Sequence, residues 1–332
     1  MKYDELIKDK SYNFLNTNPH LKNRLMLLGY GGSKAYGTNT STSDTDIRGI
    51  SLNSVEELIG LKEYEQFEDE NTDTVIYSFN KIISLLINCN PNVIEMLGLR
   101  EEDYIFKTPL GEDLIDKREM FLSKKAYYTF SGYANTQLRR LQNAIARDRV
   151  SNKQKQEHIV NSLNVAMNHF NEKYTNFDTK SFRVYKNDND EIVTDINITG
   201  YPLRELNGVL SETIFIAKNM DSVNNRNHKK DKKHLNKHCM HLIRLYMMAY
   251  DILKNKEIIT YRKDEHNLLM DIRNGKYMNE DYTISQEFFD ILNYYEKKTL
   301  DAFNNTTLSD KPNIKQIEDF VIKVNKSVIS NF

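Results

Sequence analysis

Tryptophan is absent from the 332 residues, and cysteine (two), proline (five) and glycine (twelve) are scarce. Cys89 and Cys239 cannot build a disulfide framework, and a chain this long buries a sizeable core without one, so a reducing compartment is expected. No apolar stretch approaches the ~18 uninterrupted residues of a membrane span. The longest candidates, such as Ile82 to Ile87, are short and flanked by Asn and Lys. The opening MKYDELIKDK is charged and lacks the apolar region of a signal peptide, which makes a cytoplasmic location and no membrane partner the expectation. Net charge is nearly missing too: 46 basic against 47 acidic side chains leave -1. That argues against a chain held to a polyanion over its whole surface, while leaving room for local patches of either sign.

A hydrophobic fraction of 39% and a charged fraction of 28% describe an ordinary globular protein at the border between one large domain and two. Strand and turn signals crowd the first quarter, where RLMLLGY runs into GYGG, then polar TNTSTSDTD, then DIRGISL and DTVIYSF. Phe79 to Asn88 has helical apolar spacing and stops at Asn90-Pro91, and VIEMLGL suggests a second helix. Beyond about residue 118 the pattern is long and helical, from SKKAYYTFSGYANTQLRRLQNAIARD through QEHIVNSLNVAMNHF, LRELNGVLSETIFIAK and HLNKHCMHLIRLYMMAYDILK to SQEFFDILNYYEKKTLDAF. A last helical stripe runs from Ile314 to Val328. FRVYKNDNDEIVTDINIT alternates around an Asn/Asp turn and predicts a hairpin near 182–199, and Asn224 to Lys237 reads as a solvated linker. The expected fold is α+β, a mixed-sheet core over residues 1–118 followed by a mainly helical domain over 119–332.

The sharpest local feature is Gly32-Ser33 followed, eleven residues on, by Asp44-Thr45-Asp46. Placed in a strand, Asp44 and Asp46 project from one face, and two carboxylates with no base between them favour a hard divalent cation, Mg²⁺ or Mn²⁺. A strand that ends in glycines and opens a short helix at Ser33 leaves backbone N–H groups and a hydroxyl free for phosphate oxygens. Together these are parts for moving a nucleotidyl group from an NTP.

Gly-Ser, the gap and Asp-x-Asp resemble the DNA polymerase beta superfamily of nucleotidyltransferases. The ordered blocks GSKAYGTNTSTSDTDIRG, YSFNKIISLLINCNPNVIEML, KTPLGEDLI, SKKAYYTFSGYANTQLRRL, KHCMHLIRLYMMAYDIL and YRKDEHNLLMDIRNG, spanning roughly residues 29 to 277, resemble its RNA-repair, RNA-ligase-associated type. The resemblance implies a polymerase-beta-like core and transfer of an NMP to an acceptor hydroxyl, with RNA as the acceptor and pyrophosphate released. It implies phosphate binding by Gly32 and Ser33 and metal binding by Asp44 and Asp46. Arg48 fills the basic position after the aspartates, and Lys34 stands where Arg is common. A third carboxylate is also implied, as metal ligand and activator of the acceptor. Asp73 is assigned to it, with Asp69 and Glu70 as alternatives, and Ser78 stands where the group often carries an acid. A protein-modifying or toxin-like transferase and a catalytically weak nucleotide-binding module remain alternatives.

Two helical faces add candidates. Tyr133, Gln137 and Arg140 follow one another at i, i+4 and i+7, a face able to stack a base and hold phosphate. His234, His238 and His241 beside Cys239 suggest zinc at first sight, but the surrounding lysines oppose a cation. A polar face carrying Lys237, His238, His241 and Arg244 toward a nucleotide is expected instead, with Arg262 and Arg273 either joining it or forming internal ion pairs.

Overall fold

In the computed structural model, the described residues are 2–149, 182–188, 192–196, 199–200, 202, 206, 210, 232–280 and 283–330. Five strands, β1 (Leu25–Tyr30), β2 (Ile47–Ser51), β3 (Gln66–Asp69), β4 (Thr74–Ser78) and β5 (Tyr104–Lys107), form one sheet in the order β3-β4-β2-β1-β5. β2 and β4 run parallel and every other neighbour is antiparallel, so the sheet is mixed and the fold is α+β, as expected. The interior strand β1 is buried over Leu25 to Gly29, which is why it reads as a continuous apolar run, whereas the edge strand β3 is polar and partly exposed. Leu6, Tyr12, Leu15 and Leu21 from the N-terminal turns pack with Leu25, Leu28, Ile47, Ile76 and Ile105 into one apolar cluster.

The helices that bear on the site are α1 (Gly32–Ala35), α2 (Phe79–Ile87), α3 (Lys125–Arg149), α4 (Lys232–Asn255), α5 (His266–Arg273), α6 (Gln286–Asn305) and α7 (Ile314–Ser330). Helix α4 packs against both α5 and α6. Its buried face includes Leu235, Leu242, Ile243 and Met247, and Thr299 of α6 donates to the Tyr246 carbonyl at 3.1 Å. Phe320 of α7 meets Phe79 of α2 at 6.0 Å between ring centroids. Residues 1–140 and 232–332 make one compact unit, and residues 141–231 make another. Within the second, β6 (Phe182–Lys186) and β7 (Ile192–Ile196) pair antiparallel. The helices expected from QEHIVNSLNVAMNHF and most of LRELNGVLSETIFIAK lie outside the described residues.

Three local expectations change. Asp44 and Asp46 are not inside a strand, because β2 begins at Ile47. The ladder runs out there: β1 ends at Tyr30, the Gly31 N–H makes one last bond to the Asp46 carbonyl (2.9 Å), and the chain turns into α1. Upstream, the hydroxyl-rich loop bonds to itself, with Ser43 Oγ accepting from the Thr40 N–H at 2.8 Å. Asp73 likewise precedes β4, at a left-handed φ of 44°. The run read as a linker is already helical from Lys232.

Candidate functional site

The parallel register fixes the first part of the site. Ile47 lies opposite Thr74 and Arg48 opposite Val75, so Asp46 and Asp73 come side by side where the chain enters the two strands. The Ile47 N–H donates to the Asp73 carbonyl at 3.1 Å, and the carboxyl groups of Asp46 and Asp73 are hydrogen-bonded to each other. Burial, and then Asp73, push the Asp46 carboxyl up to about 7, while the hydrogen bond from Asp46 and then Arg48 hold Asp73 below its usual range. The two therefore share one proton near neutrality, with Asp46 donating.

Arg48 answers the charge from one side. Its guanidinium donates to the Asp73 carbonyl (2.6 Å) and carboxylate (3.1 Å) and lies 4.0 Å from Asp46. Gly32 closes the other side. Its φ is +53°, and a Cβ built there would sit 1.7 Å from Asp46 Oδ2, so the carboxylate occupies the space that only glycine leaves open. Asp44 is exposed and reaches Asp46 through its field. Among the described residues no three His, Cys, Asp or Glu side chains are already arranged as a metal cluster, neither these aspartates nor the histidines of α4.

The alternatives to Asp73 are placed elsewhere. Asp69 accepts from the Thr72 N–H (2.9 Å) and hydroxyl (2.7 Å), tying the β3–β4 turn, and Glu70 is exposed in that turn. Ser78 sits at the opposite end of β4, five residues and about 16 Å along the strand from Asp73. There it is buried and caps α2, accepting from the Lys81 N–H.

Helices from the far end of the sequence brace the loop between α1 and the aspartates. His266 Nε2 donates to the Gly37 carbonyl (2.9 Å), Arg273 donates to Ser43 Oγ (2.9 Å), and Lys233 reaches Thr42 Oγ1 (3.4 Å). Directly after α1, Tyr36 is buried with its hydroxyl donating to Glu95 (2.6 Å), and the Arg244 guanidinium stacks 3.2 Å from the Tyr36 ring centroid. Glu95 is raised by burial despite the field of Arg244, the hydrogen bond from Tyr36 and the field of Arg48, and the Tyr36 hydroxyl is raised chiefly by burial too, so this is a desolvated hydrogen bond. Arg244 also donates to His241 Nδ1 (3.2 Å), and burial, then Arg244 and His238, lower His241 to about 3. Tyr36, Glu95, Phe130, His241, Arg244 and Met248 line a cavity of about 10 Å³, room for about one water.

The other residues singled out from the sequence divide. Ser33 is half-buried and its carbonyl accepts from Thr38, and Lys34 lies 4.9 Å from the Tyr30 ring. Tyr133 is half-buried on α3 with its field reaching Tyr77, as do those of Arg48 and Glu95, and Gln137 lies 3.1 Å from His238 Nδ1. Lys237 is exposed to solvent. The Arg140 side chain lies outside the described residues. Arg262 forms a buried pair with Asp251, the internal ion pair considered for it. Sequence reasoning misses Tyr36 and Glu95; the available signal is a lone acid inside the apolar run NPNVIEMLGL.

No helix among the described residues is long and apolar enough to cross a membrane. Residues 7–280 match the family model described as the RNA repair pathway DNA polymerase beta family. No curated protein and no solved structure matches the chain.

Proposed function

Because the chain belongs to the RNA repair pathway DNA polymerase beta family, a group of polymerase-beta-like nucleotidyltransferases, we propose that it transfers an NMP from an NTP to an acceptor hydroxyl on RNA and releases pyrophosphate. The observation that carries this is the Asp46–Asp73 carboxylate pair set against Gly32, two hard oxygen donors meeting beside the glycine turn that opens α1.

The donor set fits a Mg²⁺ or Mn²⁺ ion. Burial, and then the Asp73 carboxyl beside it, make the charged form of Asp46 costly, a cost a divalent cation relieves, and Asp44 offers a third carboxylate from the loop. Bound there, the ion supplies charge neutralisation to the phosphates and to the acceptor oxygen. The chain's own groups do the rest. Gly32 and Ser33 present backbone N–H groups and a hydroxyl to the triphosphate, with Lys34 at the rim. Arg48 is near enough to the carboxylates to move onto an α-phosphate once the acids are otherwise neutralised. Asp73, more exposed than Asp46, takes the acceptor proton, and Tyr133, Gln137, His241 and Arg244 flank the nucleotide. Lys237 is assigned to the outer reach of the same surface.

Purified protein incubated with each labelled NTP, Mg²⁺ or Mn²⁺ and total RNA should label the RNA, and Asp44→Ala/Asp46→Ala should not. Equal labelling by both, or none by either with any acceptor, overturns the mechanism. Arg48 already resting on Asp73 favours one second reading, a module that binds NTP without releasing pyrophosphate. Labelling of the protein itself without RNA would instead indicate a protein acceptor.

A further inference from the structure

Strands joined by a tight turn take their register from it, and β3 and β4 do so through the turn in which Asp69 holds Thr72. β2 and β4 have no such turn. They are parallel, separated in sequence by the short helix Val55–Ile59 and by β3, yet Asp46 and Asp73 meet only because Ile47 lies opposite Thr74. The end that carries the acids does little to align itself. Its last backbone bond runs from the Ile47 N–H to the Asp73 carbonyl, and two acids directly opposite each other weaken a pairing.

The other end is clasped by a side chain. Asn53, two residues past β2, is 5% exposed, and its Oδ1 accepts at 3.0 Å from the N–H of Asn80, two residues past β4. That N–H lies in the first turn of α2 and has no partner within the helix. Asn80 follows Asn53 by 27 residues, the same interval that separates Asp73 from Asp46 and each β4 residue from its β2 partner. The amide is fixed in turn, because its Nδ2 donates to Glu57 Oε2 at 3.1 Å. Glu57, its side chain 3% exposed, accepts from the Ser54 N–H (3.0 Å) on the same oxygen and lies 2.7 Å from His20 Nδ1 on the other, and the His20 ring is stacked on Tyr64 at 3.9 Å. A buried amide with both ends engaged holds one geometry, since a shift of either strand strands a donor and an acceptor away from water. We infer that Asn53, anchored by Glu57, is a positioning residue that sets Asp46 beside Asp73 from the opposite end of the β2 and β4 pair, about 20 Å along the strand. Only the activity part of its test rests on the nucleotidyltransferase function above.

The test compares the full chain with Asn53→Ala, Asn53→Asp, Asn53→Asp/Glu57→Gln and a control, Leu292→Ala, which opens a gap in α6 away from the clasp. Hydrogen exchange of the Ile47 amide, referred in each protein to the amides of α4, should be about 10-fold faster in Asn53→Ala and unchanged in the control. Calorimetric Mn²⁺ affinity without nucleotide should fall about 3- to 10-fold in Asn53→Ala alone, and in RNA labelling kcat should fall about 10-fold with KM for the NTP within about twofold. Asn53→Asp keeps an oxygen for Asn80 but loses the donor to Glu57 and sets two acids together, so it should be impaired, and adding Glu57→Gln, which moves the donor to the other partner, should recover part of the loss. If Asn53→Ala does not fold, this pair carries the comparison, and a double variant no better than the single one refutes the inference. Ile47 exchange and Mn²⁺ affinity that move no further than in Leu292→Ala overturn it as well. A wild-type protein that labels nothing with any acceptor sinks the underlying function, and exchange and Mn²⁺ binding then decide the role of Asn53 by themselves.

Discussion

Replacing Gly32 by alanine probes the most crowded point of the site. Two effects add. The left-handed φ of +53° costs a residue with a Cβ about 1–2 kcal/mol. The new carbon also falls 1.7 Å from Asp46 Oδ2, so the Asp46 side chain must leave its position, at about 0.5–1.5 kcal/mol for a displaced rotamer. In an Asp46→Ala background the second effect vanishes, because the nearest remaining Asp46 atom is Cβ at 3.5 Å, an ordinary contact. Urea unfolding in EDTA should therefore show Gly32→Ala costing about 2–3 kcal/mol in the native background and about 1–2 in the Asp46→Ala background, a coupling of about 1 kcal/mol at constant m. Equal costs in both backgrounds would refute the close seating of Asp46 over Gly32, and with it the geometric reason for glycine at that position.

Asp46 is raised from 3.8 to about 7, so its contribution to stability without metal is fully present below about pH 4 and is lost as pH rises toward 7; Asp46→Asn, unfolded in EDTA at a series of pH values, should abolish that slope. His241 works the other way. Depressed from 6.5 to about 3, it lets the unfolded chain bind the proton first, so stability falls as pH drops from about 6.5 toward 3, by at most about 5 kcal/mol. His241→Gln should flatten that limb, and a slope that survives the substitution would assign it elsewhere. Arg262→Ala strands Asp251 in the interior and should cost about 3–5 kcal/mol by denaturant unfolding, whereas Arg262→Ala/Asp251→Ala should be milder than the single change. A double variant worse than the single one would show that the pair is not the reason.

The sequence displays the site's chemistry better than its geometry. Gly32 and the Asp-x-Asp pair are legible because a positive φ and paired acids demand particular residue types, and the structure sets Asp46 on Gly32. The strand start is not, since nothing in DTDIRG reveals that β1 turns away after Tyr30 and ends the ladder beside Asp46. The resemblance leads to Asp73, yet what sets it beside Asp46 is a parallel register between β2 and β4, a pairing with no local trace in either segment. Strands β3 and β5 escape notice because each has four residues, and QFED at the sheet edge is too polar to alternate. Helical spacing picks out Arg244, but its seat on Tyr36 depends on residues more than 200 positions apart meeting in space.

That separation has a consequence for the order of synthesis. The loop carrying Ser43 is held by Arg273 across 230 residues and by His266 through Gly37 across 229. A ribosome completes the sheet well before it has made either brace, and the segment 141–231 must be synthesised in between as a compact unit of its own. The newly made N-terminal third can fold its strands, but its acidic loop stays unsupported until α5 has emerged. Long-range closure of this kind is slow, and it makes the bracing of that loop among the last features the chain acquires.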